Sequence, residues 1–380
     1  MKMFKYLVIV ALATGILDSC REEYVPPAIK TDYDFLVVEG FIDLSSDSSF
    51  FVLSRTQPPG ESTAANRETT ASLAILSENG TVISGSVNKG NGNYVLPSNG
   101  FTTTASYQLR IQTADGKVYM SDPVRPKQTP EIDDVSWTVD SSLARLNFTV
   151  STHDGTGNSR YYRWEFDETW EYRANYNTNL VFNGDSIVTR LPEQSIYTCW
   201  STRKSNDILI GSSAALSSDV ISGAPIYTYS KGGNKFNVRQ SLLVKQYALS
   251  EQAYSYWQSL KKMTETGGSI FDAQPTELIG NIRCMTNPEE PVIGYLSAHT
   301  VTSKRIFVTR DEVPLFTVGY PITCEERQIE MKKAELFGLF GTGSWIPVYY
   351  GDGPNTVVGS TRECADCTFY GGTTTKPFFW

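Results

Sequence analysis

The chain has 380 residues, is 40% hydrophobic and 19% charged, and carries a formal net charge of −8. That excludes a disordered polyelectrolyte and leaves apolar residues for about two domains, three at most, at roughly 150 residues each. The acidic balance argues against general nucleic-acid affinity, which needs surplus Lys and Arg to neutralise phosphates. Two histidines, His153 and His299, leave little room for His-based catalysis or His-rich metal sites. With 21 Tyr, 29 Gly and 18 Pro, the composition favours strands and turns over a helical bundle.

The first twenty residues read as an address. Lys2 and Lys5 precede an apolar run from Tyr6 to Leu12, which is a secretory h-region too short to span a membrane. Leu17-Asp18-Ser19-Cys20 resembles a bacterial lipobox, in which the peptide is cut before the Cys and its sulfur receives diacylglycerol. The alternative is an ordinary signal peptide with an incidental Cys. Each acyl chain contributes about 0.8 kcal/mol per buried methylene, so several chains hold a water-soluble body on a bilayer. Arg21-Glu22-Glu23 follows at once and resembles the acidic signal for export to the cell surface; the alternative is a solvated tether. Removing residues 1–19 takes away Lys2, Lys5 and Asp18 and moves the formal charge to −9. Residues 20–34, with Pro26-Pro27, read as a lipidated tether.

From Phe35 the pattern predicts a mainly β body of two tandem immunoglobulin-like sandwiches. Residues 35–125 supply the first. Phe35 to Ile42 is a buried-strand run, Ser49 to Ser54 follows, and Asn79-Gly80 turns a hairpin between Ala71–Leu76 and Thr81–Ser86. Tyr107, Leu109, Ile111 and Thr113 alternate with polar residues, and Asp115-Gly116 leads into Lys117–Ser121. Pro123, Pro126 and Pro130 stiffen a linker. Residues 131–310 form the second sandwich, with period-two runs at 144–150 and 162–166. Residues 168–235, rich in Asn, Ser, Thr and Tyr, read as an insertion of long loops. A helix is expected over about 250–265, capped by Ser250, with Glu251 in the first turn, Lys261 and Lys262 late, and Tyr254, Trp257 and Leu260 facing the core. Gly267-Gly268 is its stop. Val292–Ala298 and Arg305–Val308 read as closing strands of the second sandwich. Residues 311–380 read as a loop-rich extension whose terminal Phe378-Phe379-Trp380 either folds back or is covered by a partner.

With Cys20 lipidated, Cys199, Cys284, Cys324, Cys364 and Cys367 remain, and outside the cytoplasm they can oxidise. Cys364-Ala365-Asp366-Cys367 lacks the strand–helix context of a redox motif and the second pair of a zinc site. Structural disulfides are therefore expected, with Cys199 bonded to Cys284 and Cys324 bonded to Cys364 or Cys367.

Chemistry-bearing patterns are sparse. There is no nucleophile elbow and no phosphate-binding loop. His153 sits in a turn sequence and His299 in a Ser/Thr-rich stretch. Glu165 and Asp167 share one strand face, the minimum geometry for glycoside acid–base work, but acidic pairs are common and a solvated face is the far better explanation. Asp352 to Asn355 and Asn88 to Asn93 lack the fixed spacing of a calcium loop. No metal and no cofactor is expected, and the chain reads as a non-enzyme. Trp170, Tyr172 and Tyr176 are candidates for stacking on sugar rings.

Phe35–Ile42, Tyr107–Val124, Val238–Cys284, Val292–Val308 and the final CADC and GGTTTKPFFW stretches together resemble the domain-of-unknown-function 4249 family of Bacteroidota outer-membrane lipoproteins. The resemblance implies a cell-surface lipoprotein, anchored in the outer membrane through Cys20. It further implies a non-catalytic lid, docking or ligand-capture subunit beside a TonB-dependent barrel. The alternative is an independent glycan- or peptide-binding module.

Overall fold

The computed structural model describes residues 34–58, 66–233, 235–265, 278–316 and 323–380. The signal peptide, Cys20, Arg21, Glu22, Glu23 and the tether lie outside the described residues. The described chain is mainly β. Its first part holds β1 (Leu36–Gly40), β2 (Ile42–Asp43), β3 (Ser48–Arg55), β4 (Asn66–Arg67), β5 (Ser72–Ser77), β6 (Val82–Gly85), β7 (Val87–Gly90), β8 (Asn93–Pro97), β9 (Tyr107–Gln112) and β10 (Val118–Ser121). The middle holds β11 (Ile132–Asp140), β12 (Arg145–His153), β13 (Tyr161–Arg173), β14 (Leu180–Phe182), β15 (Ile187–Thr189), β16 (Thr198–Lys204), β17 (Leu209–Ser212), β18 (Val220–Ser230), β19 (Arg239–Leu249) and α1 (Glu251–Glu265). The last part holds β20 (Ile282–Cys284), β21 (Val292–Gly294), β22 (Ala298–His299), β23 (Val301–Thr309), β24 (Glu326–Glu330), α2 (Lys333–Phe340), β25 (Trp345–Tyr350), β26 (Thr356–Thr361) and α3 (Arg362–Ala365).

The first sandwich faces sheet β21-β1-β3-β8-β7 against sheet β20-β10-β9-β5-β6. Alternation fills its core: Leu36, Val38, Phe51, Leu53 and Leu96 meet Leu73, Ile75, Leu109, Ile111 and Tyr119. The Asn79-Gly80 turn joins β5 to β6, with Gly80 at φ +79°. Two of its strands come from late in the chain. β20 pairs antiparallel with β10, and β21 pairs parallel with β1, Leu36 opposite Val292. This corrects the assignment of Val292–Ala298 to the second sandwich. A local apolar run fixes that a strand forms, not which free edge receives it. Gly294 permits the parallel edge: it sits at φ +149°, and a Cβ there would lie 2.5 Å from the Val38 carbonyl oxygen.

The second sandwich faces β11-β12-β18 against β16-β13-β19-β23, with β17 beside β13. Residues 168–235 are therefore integral to it, not an insertion of loops. β16 and β17 flank β13, and β18 flanks β12. The hairpin β14–β15 leaves the sandwich.

Residues 311–380 are likewise a folded module, not loops. Sheet β24-β26-β25 and α2 pack with the β14–β15 hairpin around Leu180, Leu336, Leu339, Phe340 and Val357. Cys324 bonds Cys364 within this module, and Cys367 bonds Cys199 on β16. The first pairing matches expectation. The second corrects Cys199–Cys284, because Cys284 is a buried free thiol on β20 in the other sandwich. Trp380 folds back, while Phe378 stays fully exposed. Trp380 donates Nε1–H to Glu171 at 2.9 Å and packs edge-on against Trp200 and Phe307, with the Arg239 guanidinium 4.7 Å from its ring.

Candidate functional site

The two sandwiches meet where the chain crosses twice. The proline linker runs beside the returning segment: Lys127 N–H donates to Ala298 O and Thr300 N–H donates to Lys127 O, at 2.9 and 3.0 Å. Next to them β2 pairs parallel with β22. Thr129 ties the joint to the second sandwich by accepting the Ala248 N–H at 3.0 Å. α1 then packs across the outer face. Ser250 caps it as expected, accepting the Ala253 N–H at 3.1 Å. Ala253 and Tyr256 are its buried residues, with Tyr254 and Trp257 partly buried. The Arg163 guanidinium lies between the rings of Tyr247 and Trp257, at 4.7 and 4.3 Å. The predicted Gly267-Gly268 stop is outside the described residues.

Between these elements runs a groove of two adjoining lobes, about 690 and 680 Å3. Asp122, Glu251, Gln252, Asn281 and Tyr295 line both. Arg125, Lys127 and Arg160 line the first, and Ser255, Tyr256 and Ser259 the second. Charges of both signs face the groove, so it favours a polar ligand without large net charge. Asn281 is locked by exchanging two hydrogen bonds with Leu296, at 2.7 and 2.9 Å. Burial raises the Tyr295 phenol, and it pushes the Tyr256 phenol up to about 12 with Glu39 adding to it, so both remain neutral donors.

Ser297 lies on the groove wall with its Oγ 3.3 Å from His299 Nε2, an arrangement that suggests a nucleophile and base. His299 is fully buried against Phe41 and Tyr247. Burial, then the nearby Arg163 charge, depress it to about 3. Its Nδ1 has no partner among the described residues, so nothing orients the ring as a triad requires. An imidazole held neutral this strongly accepts a serine proton poorly at neutral pH. His153, by contrast, is exposed and hydrogen-bonded to Asp133 at 2.8 Å, which raises it.

The predicted stacking residues do not form a surface platform. Tyr172 is 1% exposed and donates its hydroxyl to Cys367 O at 2.9 Å, so it belongs to the core. The reason is parity: it continues the inward series Tyr162, Trp164, Phe166, Glu168 and Trp170 of β13. Trp170 is half-buried and faces the Lys235 ammonium. Tyr176 is half-buried and donates to Glu326 at 2.6 Å, which with burial pushes its phenol up to about 12. Glu165 and Asp167 do share the outer face of β13, each already ion-paired: Glu165 with Arg163 and Asp167 with Lys245, both at 2.7 Å. Among the described residues no group of three or more His, Cys, Asp or Glu could hold a metal, and no helix is long and apolar enough to cross a membrane. The groove was invisible to sequence reasoning because its walls come from five separated segments.

The profile of the family described as domain of unknown function (DUF4249) matches residues 21–305. The chain belongs to that family. The DUF4249 match takes in the first sandwich, both crossings and the groove, and ends inside β23. The CADC and GGTTTKPFFW stretches lie beyond it. A comparison with curated proteins returned no match. Among solved structures, trypsin-activated alpha-2-macroglobulin from Escherichia coli is 12% identical, covering 58% of this chain and 15% of that one at a TM-score of 0.19. The BSP domain of a biofilm-associated protein is 10% identical, covering 57% and 27% at a TM-score of 0.18. The chain thus spans a small part of those proteins, and at these scores neither bears on its function.

Proposed function

We propose that this DUF4249 chain is a non-catalytic surface lipoprotein, held on the outer membrane by acylated Cys20, that serves as a docking or ligand-capture subunit of a TonB-dependent transporter. The observation that carries the binding role is the junction groove. It is walled by both sandwiches, braced by two hydrogen-bonded crossings, and lined by amides, hydroxyls and charges of both signs. A preformed concave surface of this kind binds without losing much conformational entropy. The lipobox-like Leu17-Asp18-Ser19-Cys20 supports the anchor, and the family resemblance supports the transporter. The independent glycan-binding alternative now rests on the groove, since Tyr172 is buried and Trp170 faces Lys235.

Purification from native membranes in mild detergent, with an antibody to the folded body, tests the reading. The expected result is an acylated protein that brings down a barrel of transporter size, and loses it when Ser255→Trp fills one lobe. Repeated recovery of the lipoprotein alone, or an unacylated N-terminus, would count against it.

A further inference from the structure

We propose that the end of the second sandwich opposite the groove is a binding site for a primary alkylammonium group, occupied in this structure by the chain's own Lys235. β13 runs from Tyr161 at the groove to Glu168 and Trp170 at this second place, about seven residues or roughly 23 Å away. Glu168 is fully buried, in the inward series of a core strand. Its carboxylate accepts from Lys235 Nζ at 2.5 Å and Gln240 Nε2 at 2.8 Å and is ion-paired with Arg203, whose Nε lies 2.6 Å away. Lys235 Nζ also donates to Tyr227 Oη at 2.9 Å. The rings of Trp170, Tyr227 and Tyr229 surround that nitrogen at 5.1, 5.3 and 5.6 Å. A carboxylate floor with three aromatic walls is the chemistry that recognises an organic cation.

Two observations separate this from an ordinary buried ion pair. First, every group that holds the cation stands on a strand: Glu168 and Trp170 on β13, and Tyr227 and Tyr229 on β18, with Gln240 on β19 bonded to Glu168. The cation itself comes from the turn between β18 and β19, where Gly232 and Gly233 take φ +141° and +81°. The receptor is therefore rigid and its occupant is tethered. Second, the occupant leaves the receptor incompletely used. Tyr229 Oη and Gln240 Oε1 are buried without a hydrogen-bond partner among the described residues, a costly arrangement. The side chain of Lys235 is 16% exposed and that of Arg203 53%, which marks the side from which solvent reaches the cage.

The class of ligand follows from the bonds. Lys235 uses two N–H donors on Glu168 and Tyr227. A quaternary ammonium has none, so it would keep the ring attraction and lose both hydrogen bonds. The cage thus selects a primary amine on an unbranched stem. That chemistry is shared by free diamines and by the lysine side chains of proteins.

Full-length Lys235→Ala tests this, with n-propylammonium chloride as the probe because it replaces the deleted atoms. The expected result is a lowered melting temperature that n-propylammonium raises saturably. Half-saturation should come at a concentration at least about tenfold below that of tetramethylammonium, with sodium chloride inert. Cadaverine and N-acetyl-lysine amide form the second arm. Tighter binding of one assigns the free amine or the lysyl side chain as the source. If Lys235→Ala folds only with n-propylammonium present, the site is supported through folding itself. A melting temperature that rises no more with n-propylammonium than with sodium chloride overturns the proposal. So does a Lys235→Ala chain that never folds with the amine while Lys235→Met folds without it, because the cage then needs only to be filled.

Discussion

The two sandwiches solve the same packing problem with different interiors. The core of the first is built of aliphatic and aromatic side chains. Its buried polar groups are mostly hydroxyls such as Ser49, Ser84, Ser98 and Ser121, and its few charged side chains are paired at the edge, Arg55 with Glu68 and Glu290 with Lys117 and Tyr119. The second buries charge and amide: Glu168, Asp219, Gln240 and Gln246 all lie inside it. It is also the one braced from outside, by the Cys199–Cys367 bond, by α1, and by the Trp380 clamp. An apolar core is specified by pattern and tolerates substitution of like for like. A polar interior must be satisfied group by group, and where it is not, as at Tyr229 and Gln240, function is the first explanation to test.

That contrast can be broken at Glu168. Glu168→Ala should cost about 3–5 kcal/mol by equilibrium denaturation, because it leaves the Lys235 ammonium among aromatic walls without its counter-charge. Glu168→Gln with Lys235→Met should recover most of the loss. If the single and double variants unfold alike, the second interior is no more dependent on charge than the first.

Removing the brace is the next largest effect. Cys199→Ser with Cys367→Ser opens a link across 168 residues and should cost about 2–5 kcal/mol. Limited proteolysis should then release the module after residue 323 at a protease dose that leaves the first sandwich whole. The first sandwich has its own weak point, Gly294. Gly294→Ala should cost about 2–3 kcal/mol, from the positive φ and the Val38 carbonyl together. It should raise hydrogen exchange in β1 and β21 before β13 and β19. Equal exchange everywhere would mean that the sandwiches unfold as one unit.

The smallest effect concerns the joint. His299 is held neutral, with its folded value near 3 and its unfolded value near 6.5. The unfolded chain therefore takes the proton first. Stability contributed by the neutral ring is present above about pH 6.5 and falls as pH drops from there toward 3, at a limiting slope of about 1.4 kcal/mol per pH unit. Unfolding curves between pH 6.5 and 5.5, where most carboxylates do not titrate, should show this loss. His299→Phe should flatten it, and an unchanged slope would assign the effect elsewhere.

Local pattern made much of the framework legible. β3, β9, β12 and the first half of β13 follow strict alternation, and α1 carries its cap and first-turn acid at Ser250 and Glu251. Continuing the β13 parity past Phe166 would also have turned Glu168 and Tyr172 inward. Other features have no local signature. β16 to β18 are edge or flanking strands with mixed exposure, so their sequence lacks the apolar alternation of buried strands. β24, with sequence ERQIE, is almost fully exposed. The pairing of β20 and β21 with the first sandwich, and of Cys199 with Cys367, depends on contacts across long sequence separations that composition does not encode. The groove and the aromatic cage inherit that difficulty, since each is assembled from several such segments.

The central proposal is that the junction groove is where this chain meets its partner or ligand. A photo-crosslinking residue placed at Gln252, compared in intact cells with one at Asn79 on the first sandwich, tests it directly. The account predicts an adduct of transporter size, or a captured ligand, from position 252 and none from 79. No adduct from 252, or the same adducts from both positions, would contradict it.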